Sequence, residues 1–209
     1  MNNAHPAPTL MTALCRADPT PPLATHTACA VVRSIDTGGA LLPHRYGCTA
    51  WTRDAIKVLK AVGPLVEIGA GRGHWQKALS DAGVDIVAYD NFSSVPPKPD
   101  AREAGNGEDM ADAMRDAMVG TVAQGDEQAV LRHQDRTLML CYPPPGPFAA
   151  NCLRLYAGKT VAYVGEGRGG CNADSGFFDN LEREWHVQSV TPLAPFPGGL
   201  EKLYVLRRR

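Results

Sequence analysis

The stretch Val66-Glu67-Ile68-Gly69-Ala70-Gly71-Arg72-Gly73 (VEIGAGRG) decides how the chain is read. A near copy, YVGEGRGG, runs from Tyr163 to Gly170. Each is a short apolar run ending in a glycine-rich turn that holds an arginine. Glycine lets a backbone come close to a ligand, and a following helix offers unpaired N–H groups. A ligand-cradling turn of this type needs a strand before it, a helix after it and an acid at the end of the next strand. The first copy meets all three conditions. LVEI leads in, and HWQKALSDAG leads out with Trp75, Ala78, Leu79 and Ala82 on one face. VDIVAYD then ends on Asp90, whose carboxylate can accept from two ribose hydroxyls. The second copy has a strand before it, but its helix starts after a further polar loop and no later strand ends in an acid. It reads either as a tight connection or as part of a substrate pocket.

Outward from this stretch, strand and helix alternate. TRDAIKVLKAV (Thr52 to Val62) has Ile56, Leu59 and Val62 at helical spacing, with Thr52 as cap and Gly63-Pro64 as stop. GEDMADAMRDAM predicts a helix with a methionine-rich core face, and TVAQGD a third strand and its exit turn. TLMLCY is a fourth strand, FAANCLRLYAG a helix and TVAYV a fifth strand. FFDNLEREW predicts a helix aligning Phe178, Leu181 and Trp185; VQSVTPL and KLYVLR close the chain as two strands. The prediction is an α/β fold: a doubly wound, mostly parallel seven-stranded sheet with a C-terminal antiparallel hairpin.

Residues 1–40 are rich in Pro, Ala and Thr and nearly lack charge, so they read as a disordered arm before a domain over 41–209. Arg16 and Arg33 are their only basic residues, too few for an organelle address, and no signal-peptide core is present. A net charge of −1 leaves no broad polyanion-binding surface, which disfavours nucleic acid as a partner. No apolar run reaches the roughly 20 residues of a membrane span. Six cysteines without CxxC spacing read as reduced thiols, which implies a cytoplasmic setting, and the scattered histidines suggest no metal site. The sequence sets no oligomeric state.

The turn E-x-G-x-G-x-G, with Asp90 and this topology, resembles the class I S-adenosylmethionine-dependent methyltransferases, whose fold is Rossmann-like. More narrowly, VEIGAGRGHW, VGEGRGGCNADSGFF and LYVLRR resemble a group of small methyltransferase-like proteins. The resemblance covers residues 42–209. It implies S-adenosylmethionine as cofactor, held by Glu67, Gly69, Ala70, Gly71, Gly73 and Asp90. It also implies a small molecule or a protein as methyl acceptor, at nitrogen or oxygen. Asp126 stands where this family meets the adenine amino group, although it can equally cap the short helix DEQAVLRH. Tyr46 and Trp51 are placed either to cover the cofactor or, for Trp51, to pack in the core.

Amine-directed members carry Asn or Asp, two prolines and an aromatic after the fourth strand. Here the run is Cys141-Tyr142-Pro143-Pro144-Pro145. The prolines match, while Tyr142 and Pro145 replace the acceptor side chain and the stacking ring. Tyr142 and the Pro143 carbonyl are therefore the catalytic candidates, with Tyr142 either positioning a proton or packing. Pro144, Glu166, Arg168 and Asp174 are the substrate-side candidates, with Arg168 suited to grip a carboxylate or phosphate. Cys141 has no evident base beside it and is not read as a nucleophile. The irregular CYPPP run keeps an alternative open, a non-catalytic binding or partner module on the same fold.

Overall fold

A computed structural model describes Leu14 and residues 47–93, 118–195 and 199–209. The helix expected over GEDMADAMRDAM lies outside these residues except for Met118, and so does Tyr46. The expected arm also lies outside them, apart from Leu14.

Helix α1 (Arg53–Ala61) begins where the Thr52 hydroxyl accepts from the Ala55 N–H. Strand β1 (Leu65–Ile68) is buried at every position. It pairs in parallel with β2 (Ile86–Asp90) on one side and β4 (Thr137–Cys141) on the other. Helix α2 (His74–Asp81) joins β1 to β2. Strand β3 (Ala123–Gln124) adds a parallel edge to β2, and a 3₁₀ helix (Glu127–Arg132) leads from it to β4. Helix α3 (Phe148–Leu155), β5 (Thr160–Gly165) and α4 (Ser175–Glu184) follow. Strands β6 (Trp185–Pro192) and β7 (Lys202–Arg208) complete a sheet of order β3-β2-β1-β4-β5-β7-β6. Only β7 is reversed, lying antiparallel between β5 and β6. This is the expected Rossmann-like seven-stranded arrangement.

Two elements differ from their sequence reading. Within TVAQGD, β3 is confined to Ala123–Gln124, because Thr121 N–H donates to the Gln76 side chain instead of to the sheet. Trp185 opens β6 and is not the last residue of the helix. Its ring stacks on Tyr156 at 6.2 Å and lies 4.3 Å from the Arg208 guanidinium, contacts that need an extended backbone there.

Alternation along the strands makes two cores. Val66, Ile68, Leu138 and Leu140 pack with the inner faces of α3 and α4. Leu65 and Met139 pack with Ala55, Leu59, Trp75 and Leu79 of α1 and α2. The period of two therefore turns Glu67 and Cys141 toward the α1/α2 side, at the carboxyl ends of β1 and β4.

Leu14 is fully buried in the first core, and its carbonyl accepts from the Arg168 N–H at 2.9 Å. A residue from the expected arm is thus part of the packing. Leu14→Ala should cost about 2 to 5 kcal/mol, the usual range for a buried leucine. Urea unfolding of the full chain checks this, and an unchanged midpoint would place Leu14 outside the folded core.

Candidate functional site

A cavity of about 440 Å³ opens over the carboxyl ends of β1, β2 and β4. Glu67, Gly69, Ala70, Gly71, Asp90, Asp126, Tyr142 and Pro144 all border it, so eight of the sequence candidates meet in one place. A slightly larger cleft, about 480 Å³, lies at the amino ends of β4 and β5 beside Arg136, Lys159 and Arg207. Open α/β sheets take ligands at the carboxyl ends of their strands, and only the smaller cavity touches the first glycine loop.

Gly69, Gly71 and Gly73 all have positive φ (77°, 55° and 79°), which L side chains rarely adopt. Their surroundings differ. A Cβ on Gly69 would press on the Phe148 ring at 3.0 Å. A Cβ on Gly73 would meet Val122 at 2.7 Å and the Gly120 backbone at 3.0 Å. A Cβ on Gly71 would meet nothing within 4 Å, so this residue opens onto empty space. Gly73, a sequence candidate for the ligand, does not border the cavity and instead admits the segment at Gly120.

Asp90 holds the loop. Its Oδ2 accepts from the Gly71 N–H at 2.7 Å, and its Oδ1 accepts from the Phe92 N–H at 2.6 Å. A carboxylate has about four acceptor sites, so both oxygens keep capacity for ligand hydroxyls. Beside it, Glu67 is 1% exposed, and its Oε2 has no hydrogen-bond partner among the described residues. Burial, with the Asp90 charge adding to it, raises the Glu67 carboxyl to about 8. At neutral pH it is a buried neutral acid facing the cavity, with an acceptor oxygen unsatisfied.

Asp126 is the cap of the 3₁₀ helix, one of the two roles the sequence allowed, and it stands at the cavity. Its Oδ1 accepts from the Gln128 N–H. Tyr142 has φ 52°, and its hydroxyl lies 3.1 Å from the Cys171 sulfur. Pro144 borders the cavity, but Pro143 is buried away from it, and its carbonyl accepts from the Asn172 amide at 3.0 Å.

The other three substrate-side candidates do not border the cavity. Arg168 pairs with Asp179 at 2.8 Å and Glu182 at 3.3 Å and lies over the Phe178 ring. Asp174 caps α4 by accepting from the Phe177 N–H. Glu166 folds back to accept from the Cys171 N–H at 3.0 Å.

Sequence reasoning missed Phe148, His74 and Cys48 in the cavity wall. Phe148, the first residue of α3, packs against the first core and also borders the cavity beside Gly69. Cys141 borders the cavity as well, on the same strand face as Glu67. Desolvation, with the Glu67 charge second, holds its thiol well above the usual range. It is thus a poor nucleophile even though part of its surface is exposed. Trp51 does not border the cavity; it packs edge-on against Trp75 at 5.7 Å.

Cys141 and Cys152 are free thiols. Among the described residues no group of three His, Cys, Asp or Glu side chains is placed to hold a metal ion. Among them, too, no helix is long and apolar enough to cross a membrane.

No family model matches the chain, and no curated protein matches it. Among solved structures it is similar to the mitomycin 7-O-methyltransferase MmcR, with 17% identity over 75% of this chain and 53% of that one, TM-score 0.40. It is also similar to magnesium protoporphyrin IX methyltransferase from Synechocystis PCC 6803, solved with bound SAH: 12% identity, 75% and 81% covered, TM-score 0.42. A third is a mutant of MtNAS in complex with S-adenosylmethionine: 14% identity, 88% and 68% covered, TM-score 0.45. The chain spans about half the length of MmcR. Likeness at these values carries no function from one protein to another.

The Glu67 carboxyl gives a pH prediction. In the folded chain it stays protonated up to about pH 8, whereas unfolded it ionises near 4.5. Its contribution to stability is whole below pH 4.5 and is lost as pH rises toward 8. Glu67→Gln should therefore gain stability relative to wild type across that window, by roughly a few kcal/mol since each pKa unit is about 1.4. Thermal melts of both proteins at several pH values check this; parallel curves would mean that Glu67 is already ionised.

Proposed function

We propose that the chain is an S-adenosylmethionine-dependent methyltransferase acting at nitrogen or oxygen of a small molecule or a protein. The observation that carries the reading is the unsatisfied Glu67 oxygen, buried in the cavity wall beside the open face of Gly71. A buried acceptor without a partner is costly, and a ligand N–H is what removes the cost. The cavity's size is also within the range of small-ligand sites.

The bound cofactor would supply a methyl group already activated by a sulfonium charge. The chain's own residues would do the rest. Glu67 accepts from the amino end, and it ionises as it meets a positive charge. Asp90 takes the ribose hydroxyls on lone pairs not used by Gly71 and Phe92. Gly69, Ala70 and Gly71 allow close backbone approach, and Asp126 accepts from the adenine amine with the oxygen that does not cap the 3₁₀ helix. Tyr142 and Pro144 form the acceptor side, where alignment of the nucleophile at about 3 to 3.5 Å is the main catalytic demand. The free Cys141 and Cys152 thiols suit a cytoplasmic setting.

One observation favours the second reading, a non-catalytic module that keeps the ligand site. The Pro143 carbonyl, which amine-directed relatives would offer to the acceptor, is taken by Asn172. Transfer of labelled methyl to an extract, lost in Asp90→Ala, supports the enzyme.

Calorimetry with S-adenosylhomocysteine tests the cofactor site. Micromolar binding is expected, near −8 kcal/mol, with none for NADH. Asp90→Ala should weaken it by about 1 to 3 kcal/mol, because buried acceptors to ligand and loop are both lost. Arg168→Ala should leave it unchanged, because that side chain is engaged with α4. A folded wild type that binds no S-adenosylhomocysteine would end the reading.

A further inference from the structure

The second glycine-rich stretch, Tyr163 to Gly170, contributes no residue to the cavity wall. Its glycines are crowded by neighbouring side chains. A Cβ on Gly170 would meet Glu166 at 2.5 Å, and a Cβ on Gly165 would run into the Tyr163 hydroxyl and lie 3.0 Å from the Asn172 Oδ1. These glycines make room for Glu166 and Asn172 to fold inward. Asn172 is 2% exposed and bridges two loops. Its amide donates to the Pro143 carbonyl at 3.0 Å, and its Oδ1 accepts from the Glu166 N–H at 2.9 Å.

The residues beside it continue the connection. The Ala173 N–H donates to the Pro144 carbonyl at 3.2 Å, and the Gly146 N–H donates to the Ala173 carbonyl at 3.3 Å. The Cys171 sulfur meets the Tyr142 hydroxyl. Three successive residues, Cys171 to Ala173, thus hold the whole loop after β4. Backbone strain gathers at the same place. Tyr142 (φ 52°) and Ala173 (φ 56°) are non-glycine residues in the left-handed region, one on each side of the contact. Such conformations persist only where surrounding bonds over-determine them, and they cluster at functional sites.

We infer that Asn172 is a positioning residue for the acceptor side of the cavity, acting through Pro143 to fix Tyr142 and Pro144 in the wall. The inference rests on the cofactor reading above only for which side is the acceptor's. With Pro143 buried away from the cavity and bonded to Asn172, the incoming group meets Tyr142 and Pro144, which border it.

Asn172→Asp separates the two bonds. It keeps an acceptor for the Glu166 N–H and loses the donor to Pro143. Amide exchange by NMR should show Gly146 and Ala173 exchanging about tenfold faster or more, the factor to which about 1.4 kcal/mol corresponds. The Cys171 amide, held by Glu166, should keep its rate. The dissociation constant for S-adenosylhomocysteine should stay within about threefold, as for an uncoupled site. In the labelled-methyl assay, maximal incorporation should fall while the half-saturating cofactor concentration holds. Asn172→Leu should free both loops; if it fails to fold, Asn172→Asp still decides. Wild-type exchange at Gly146 and Ala173 in Asn172→Asp would overturn the inference. So would a loss of S-adenosylhomocysteine affinity that tracks the faster exchange. Absence of binding in the wild type would instead sink the cofactor reading and leave the exchange result intact.

Discussion

The carboxylate of Asp90 joins the two strands that make the cavity. It stands at the end of β2, yet one oxygen holds the Gly71 N–H and the other the Phe92 N–H. Neighbouring bonds run the same way, since the Gly69 and Ala70 N–H groups both donate to the Tyr89 carbonyl. The glycine loop is thus tied along its length to the strand beside it. Its three left-handed residues can then face three ways: toward Phe148, toward Gly120 and toward open space. Glu67 stays buried because the loop above it is held down, and its unsatisfied oxygen follows from that burial.

The two glycine-rich stretches differ in backbone and in what fills their space: Gly69, Gly71 and Gly73 of the first have positive φ, and of the second Gly169 alone does. In the first, the position left empty by a missing side chain remains empty at Gly71. In the second, the space is filled by the chain's own Glu166 and Asn172. Glycine in both cases reports a close approach, and the sequence does not say by what. The difference lies in the long-range partners. Asp90 is 19 residues from Gly71, and Asn172 is 29 residues from Pro143.

The fold was legible because its signals are local. The short apolar runs LVEI and TLMLCY, the Thr52 cap and the acid ending β2 each point to one element, and the elements agree with one another. The cavity's near side was legible for the same reason: Glu67, Gly69, Ala70, Gly71 and Asp90 lie on one strand–loop–helix–strand unit. The far side was not. Glu166, Arg168 and Asp174 looked like free polar groups at the right end of the sheet. In the folded chain, a loop back-bond, two carboxylates of α4 and a helix cap occupy them. Phe148 was hidden because an apolar helix residue can serve a core and a cavity at once. Leu14 was hidden because nothing in a proline- and alanine-rich stretch marks one leucine as an anchor.

The placement of β7 governs how the protein must be made. Strand β6 is synthesised before β7, and among the described residues β7 is its sole neighbour in the sheet. Strand β5 likewise lacks its outer partner until β7 arrives. A nascent chain short of Lys202 therefore carries two strands with open edges, one of them bearing the apolar run Val161 to Val164. Such edges invite pairing with other chains. Sheet closure waits for Lys202 to Arg208, so a ribosome stalled before them would hold a chain with open strand edges that is prone to aggregate.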